Sequence, residues 1–292
     1  MPKRAALRAI LLVGTGIASC TLPSLASPTP FTFPTPNLTL TAIFLPTGTP
    51  APDVPTLPPI AITSPPSSTP LPPLPPGGIR PNGSPVYAAS LPNAPTVDGD
   101  LAEWPAVATT LDQCTYGCSS WSGANDAHAT YAWGWDATYL YLAVRVTDDV
   151  HVAGPRGETM YRGDIVELQF DANLAGDFAQ TFLSLDDSQF GLSPGDFASL
   201  RPEAYRWYPT QYAGSAASVW VRSAKTAEGY ALEASIPWTV LGATPVAGAR
   251  YGFVLSLSDN DATGAAAQQS LVSSVRTRTL LDPTSWGTLI LE

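Results

Sequence analysis

Basic charge is scarce in this chain. The 14 Lys and Arg residues face 24 Asp and Glu, for a net charge of −10 and an isoelectric point near 4.5. No basic stripe or patch is visible, which argues against a nucleic-acid partner. Histidine and cysteine are also rare, with 2 and 3 residues. Of the cysteines, Cys114 and Cys118 are too few to complete a thiolate metal site, which needs four ligands, and no other ligand stands beside them. No apolar segment near the N-terminus is long enough to span a membrane. The run in MPKRAALRAILLVGTGIASC is about ten residues, against about 30 Å of hydrocarbon to cross. Charge nearly vanishes between Thr21 and Pro85, where Asp53 and Arg80 stand alone. A long amphipathic helical period is missing throughout.

What is present at the N-terminus has an order. Lys3, Arg4 and Arg8 precede the apolar run, and small residues follow up to Cys20. That is the arrangement of a secretory signal. The tetrad IASC resembles the bacterial lipobox, in which cleavage precedes a cysteine that then carries lipid. Residues 1–20 are therefore expected to be a lipoprotein-type signal with Cys20 as the anchor, attaching the protein to a membrane without spanning it. Residues 21–85 are dominated by Pro and Thr. Proline fixes φ and removes a donor, so neither helix nor central strand persists, and extended polyproline II conformations are expected instead. At about 3.1 Å per residue, such a disordered linker reaches at most roughly 200 Å. It reads as a stalk on an extracytoplasmic protein, either lipid-anchored at the bacterial envelope or secreted.

The remainder, Val86 to Glu292, suits one all-β domain. In TYLYLAVRVTD, Leu140, Leu142, Val144 and Val146 alternate with Tyr139, Tyr141, Arg145 and Thr147. DIVELQFD sets Val166, Leu168 and Phe170 against Glu167, Gln169 and Asp171. GYALEASIPW and YGFVLSLSD repeat the period of two, which marks half-buried strands. Further strands are expected in HATYAWGW, AQTFLSLDD, EAYRWYP, ASVWVRSAK, QQSLVSSV and WGTLILE, with short helical turns at LAEW and WTVLG. Many short strands with one polar face predict an antiparallel β-sandwich. Cys114 and Cys118 enclose TYG and, in an oxidising compartment, are expected to form a disulfide that stiffens the loop leading to Trp121.

The ordered series VDGDLAEW, WDATYLYLAVRVTDD, RGDIVELQFD, EGYALEASIPWTVLG, ARYGFVLSLSDND and DPTSWGTLILE resembles the family 9 carbohydrate-binding modules, from about Thr96 to Glu292. The resemblance implies a β-sandwich without catalytic activity of its own, sugar binding and structural calcium. Sugar-binding relatives carry a Trp just before the D-x-V-E strand; here that position is Tyr161, and the motif's Glu is Glu167. The second stacking Trp corresponds to Leu280, which cannot serve as an aromatic platform. The family's strand glutamine corresponds to Ser256 and its arginine falls near Leu183, with Arg276 or Arg278 as a substitute. Trp207 and Tyr208, with Tyr205 and Tyr212, form the next aromatic cluster, while Trp121 and Trp220 stand apart. An exposed ring can stack on the C–H face of a sugar while polar neighbours hold its hydroxyls.

Calcium takes six to eight oxygens. Asp98 and Asp100 in the acidic turn, Asp148 in TDD, and Asp259 and Asp261 in DND are the candidate ligands. The simpler reading of VDGDLAEW is domain entry: a turn at Gly99, with Trp104 packing as a lid. Two other function classes stay open. A haem-binding redox module would use His151 and Met160, or His128, as axial ligands. A glycosidase would need a carboxylate pair such as Asp164 and Glu167, but three positions apart on one strand they face opposite ways. A purely structural or adhesive envelope module is the third possibility.

Overall fold

The computed structural model describes residues 78–292. The signal-like segment, Cys20 and most of the Pro/Thr-rich stretch lie outside the described residues. The 14 strands run β1 Val86–Ser90, β2 Thr109–Leu111, β3 Gln113–Tyr116, β4 Ala127–Trp135, β5 Tyr139–Asp148, β6 Ile165–Asp171 and β7 Asp187–Ser193. They continue as β8 Glu203–Tyr208, β9 Gly214–Ser215, β10 Trp220–Lys225, β11 Gly229–Pro237, β12 Arg250–Asp259, β13 Ser270–Ser273 and β14 Gly287–Leu291.

These strands make two layers. One is β10–β11–β5–β4, with β2 beside β4; the other is β14–β12–β6–β7–β8–β9. β14 pairs with the first half of β12 and β13 with the second, and β3 lies outside β13. β1 departs from the expected antiparallel pattern. It runs parallel to both β4 and β14 and so joins the two layers into one curled sheet. The period of two then explains the core. Val166, Leu168 and Phe170 turn inward from β6 and are buried with Leu140, Leu142, Val144 and Val146 of β5. Between the layers, the Tyr131 and Trp133 rings of β4 meet Phe253 of β12 edge-on at 6.5 and 6.0 Å. Trp238 and Trp286, at strand ends, are also buried.

Short turns fall where anticipated, at Leu101–Glu103 and in α1, Trp238–Leu241, but a 3-10 turn at Gly157–Arg162 was not foreseen. The expected strand in AQTFLSLDD is instead a series of turns, and pairing starts only at Asp187. The carboxylates around it explain this: Asp186 gathers with Asp171 and Asp177 at the β6–β7 connection and does not join a ladder. Order also begins before Val86. Arg80 is buried, donating from Nη2 to Asp171 Oδ2 at 2.8 Å and from its backbone N–H to Thr288 Oγ1 at 2.9 Å. Among the described residues, no helix is long and apolar enough to cross a membrane.

Candidate functional site

The outward faces of β13, β12, β6, β7 and β8 carry polar and aromatic side chains in register. Ser256 lies opposite Glu167, Glu167 opposite Gly191, and Gln169 opposite Gln189. Over this face runs a groove of about 510 Å³ lined by Tyr116, Tyr161, Glu167, Gln189, Trp207 and Arg278, with Gln268, Leu271 and Leu280 completing it.

Tyr161 is carried by the 3-10 turn between β5 and β6, and its carbonyl accepts from Ser258 Oγ at 2.5 Å. Its ring meets Trp207 edge-on at 6.3 Å, and the Arg162 guanidinium lies 5.5 Å from its centroid. Tyr161 is half-buried and lines the groove beside these two neighbours. Trp207 donates from Nε1 to the Glu158 carbonyl at 2.9 Å, tying β8 to that turn. Gly191 makes this possible: a Cβ there would collide with both the Trp207 ring and Met160 Sδ.

Glu167 is buried at the groove floor. Arg278 donates from Nη2 to Glu167 Oε2 at 3.0 Å and from Nε to Gln169 Oε1 at 3.0 Å, while Gln169 Nε2 donates to the Leu280 carbonyl at 2.8 Å. Burial pushes the Glu167 carboxyl up, opposed by Arg278. The outcome is a fixed row of donors and acceptors beside aromatic surface, the composition of a site for polyhydroxylated ligands. Of the residues anticipated from sequence, Tyr161, Glu167, Trp207 and Arg278 come together here. Two do not. Tyr208 faces the opposite side of β8 from Trp207, because side chains alternate along a strand, and its hydroxyl reaches toward the Leu183 carbonyl at 3.4 Å. Ser256 is buried below the groove, hydrogen-bonded to Ser273 Oγ at 2.8 Å. Leu183 packs near Val254, Val275 and Trp286, outside the groove lining. Gln189, Gln268 and Tyr116 were missed. The alternation of β6 flagged Gln169, but Gln189 sits on a strand that AQTFLSLDD had displaced.

The candidate calcium ligands separate into two places. Asp98 and Asp100 stay in the entry turn. Glu233 Oε2 accepts from the Asp98 and Gly99 backbone N–H groups at 3.0 and 2.8 Å, and its Oε1 accepts from Trp104 Nε1 at 2.7 Å. Asp98 and Asp100 themselves accept backbone N–H groups of the turn. The segment covers the outer face of β5 and β11 beside Ala143 and Ala231, so this turn is an entry clamp on a sheet face, not a lid on the sandwich end. The other candidates converge. Asp148, His151 and Asp164 place ligand atoms within 4.8 Å of one another, as do Asp126, Asp149 and Asp261. Asp259 lies beside both groups, with burial and the carboxylates of Asp261, Asp126 and Asp148 raising it to about 7 against the pull of Ser270. Asp261 Oδ1 is buried without a hydrogen-bond partner. The carboxylate set of Asp126, Asp149 and Asp261, with an orphaned buried oxygen, fits a hard divalent cation.

The pair His151 and Met160 fails as haem ligands on packing. Met160 is fully buried under Trp207, and the His151 ring nitrogens contact Asp148 Oδ2 at 3.1 Å and the Gly195 carbonyl at 2.8 Å. The disulfide is present as anticipated between Cys114 and Cys118, but the groove residue it brackets is Tyr116. Trp121 is half-buried with its Nε1 donating to the Ala127 carbonyl at 2.9 Å. Trp220 is exposed on edge strand β10, with the Arg222 guanidinium 5.2 Å from its ring.

The fold is that of a carbohydrate-binding module. The sequence profile described as "Carbohydrate family 9 binding domain-like" matches residues 97–292, and the chain belongs to this family, one of non-catalytic binding modules. Endo-1,4-beta-xylanase A of Thermoanaerobacterium saccharolyticum is 31% identical over 144 residues, 49% of this chain but 11% of that enzyme. A family 9 module from Caldicellulosiruptor kristjanssonii in complex with glucose superposes with a TM-score of 0.54 at 21% identity, covering 72% of this chain and 96% of that one. The module in complex with cellotriose from the same organism gives 0.52 at 20% identity, covering 72% and 94%.

Proposed function

We propose that the groove binds a glucan-type saccharide, with Tyr161 stacking on a ring face and Glu167, Gln189, Gln268 and Arg278 holding hydroxyls. The observation that carries this reading is that Tyr161 and Glu167, the two positions matching the family's sugar-site motif, line one groove with Trp207 and Arg278. The relatives named for glucose and cellotriose supply the substrate class. Calorimetry of the full chain against glucose and cello-oligosaccharides tests it, with a broader glycan array to catch other sugars. Binding that survives Tyr161→Ala would put the site elsewhere.

A calcium ion belongs to the same proposal, held among Asp126, Asp148, Asp149, Asp164, Asp259 and Asp261 as structural support, with Asp98 and Asp100 excluded. So does display at the envelope. Cys20 carries the lipid, and the Pro/Thr-rich residues ahead of the buried Arg80 hold the module away from the membrane. In a bacterial host the protein then partitions into detergent, and Cys20→Ser abolishes both lipid labelling and membrane retention. Full retention of the Cys20→Ser protein sinks the anchor.

A further inference from the structure

Leu280 leaves the groove without the family's second ring, yet the groove has another aromatic wall. Tyr116 ends β3 and is 55% exposed while lining the same groove as Tyr161 and Trp207. A tyrosine so exposed beside convergent polar groups is suited to stacking on a sugar. Its position is unusually fixed. β3 pairs with β13 through Tyr116 and Leu271, and Thr115 Oγ1 reaches the Leu271 carbonyl at 3.3 Å and Ser273 Oγ at 2.9 Å. The disulfide between Cys114 and Cys118 brackets it. Gly117 follows with φ +62, pressed so closely on the Gln269 carbonyl that no Cβ fits. A platform ordered before binding loses little entropy when it binds.

We propose that Tyr116 is the second aromatic platform of the groove and that it receives a different sugar ring from Tyr161. This rests on the saccharide reading above. β3 lies two strand spacings from β12, over which Tyr161 is tethered through Ser258, so the two backbones stand roughly 10 Å apart. Tyr116 and Tyr161 line the groove from two different elements, β3 and the turn before β6, so each can face its own sugar ring along a chain. Gln268, hydrogen-bonded to Ser258 Oγ at 2.8 Å, lies along the groove with them. The site thus reads the inside of an oligosaccharide, with the disulfide setting the angle of one wall.

The test is calorimetry of the full chain with glucose and with cellotriose. Cellotriose binds at least tenfold tighter than glucose to the wild type. Tyr116→Ala removes that advantage, a tenfold loss corresponding to about 1.4 kcal/mol, and weakens glucose far less than cellotriose. Tyr116→Phe keeps the ring and keeps the advantage, and the double change Cys114→Ser with Cys118→Ser gives a partial loss. If Tyr161→Ala abolishes binding while Tyr116→Ala leaves cellotriose unaffected, this inference is overturned and the saccharide reading stands. Equal losses for both sugars overturn the two-ring placement. If neither sugar binds the wild type, both readings fall together.

Discussion

A buried carboxylate at the bottom of a binding groove costs stability unless it is neutralised, and Arg278 is the neutralising group for Glu167. The same guanidinium fixes Gln169, which in turn fixes the Leu280 carbonyl, so one residue ties β6 to the segment around residue 280. That arrangement was only partly legible. Glu167 and Tyr161 could be read from the motif around them, and Arg278 was a fallback for an arginine displaced to Leu183. Gln189 could not be read, because nothing local announces which face of an irregular strand meets a ligand. The missing ring at Leu280 was legible, because Asp282 and Pro283 fix the position. Leu280 is 41% exposed at the groove edge, so it can be replaced without disturbing the core. Leu280→Trp is therefore expected to strengthen saccharide binding by about tenfold, the worth of one added stacking contact, measured by calorimetry with cellotriose. An unchanged or weaker affinity would show that this edge does not contact the sugar.

Among the elements, β6 is the clearest in sequence and its connection to β7 the least. Period-two alternation survives in DIVELQFD because one face is core and the other polar. In the connection, the apolar residues Phe182 and Leu185 suggest a strand but are exposed, while four carboxylates decide the path. Asp171 and Asp187 are raised to about 6 and about 7. Burial is the main cause for both, opposed by Arg80 for Asp171 and by the Ser184 N–H for Asp187, with the neighbouring carboxylates adding to the rise. A carboxyl raised in the folded state holds its proton there after the unfolded chain has lost it. Its contribution to stability is present below about pH 4 and lost as pH rises toward 7. In chelator, the melting temperature should therefore fall across that interval. Asp187→Asn still accepts from the Ser184 N–H and places a donor where Oδ1 is buried and unpartnered, so it should flatten the slope and raise stability at pH 8. A steeper slope in this variant rejects the account. The opposite change is Arg80→Ala, which strands Asp171. Removing one member of a buried ion pair costs about 3–5 kcal/mol, and a denaturant midpoint that moves by less than a third of that means Arg80 contributes packing alone.

At the scale of the whole molecule, the acidic end and the groove share one segment. Residues 149–164 leave β5 at the carboxylate cluster, carry Met160 and Tyr161, and return to the cluster at Asp164 before β6. Asp164 accepts from the Val152 and Asn260 N–H groups, and Asn260 Nδ2 donates to the Arg162 carbonyl at 3.0 Å, one residue from the stacking ring. Calcium among Asp126, Asp148, Asp149, Asp164, Asp259 and Asp261 would hold both ends of the segment that aims Tyr161. The sequence showed the acidic motifs but not their meeting, since only the strand register brings the end of β5 to the start of β6 and the end of β12. A ligand at a hundredfold excess over its Kd stabilises the native state by about 2.7 kcal/mol. At 2–4 °C per kcal/mol for a domain of this size, roughly, that is a rise of about 5–10 °C in melting temperature. Millimolar calcium should produce that rise and also strengthen cellotriose binding, because the segment is then ordered before the sugar arrives. Asp261→Asn should weaken both effects without touching the groove, whereas Asp98→Asn should leave the calcium response intact. The decisive measurement is a sugar titration with calcium and with chelator. If the melting temperature responds to calcium while cellotriose affinity does not, the metal supports the fold alone and the segment needs no help to place Tyr161.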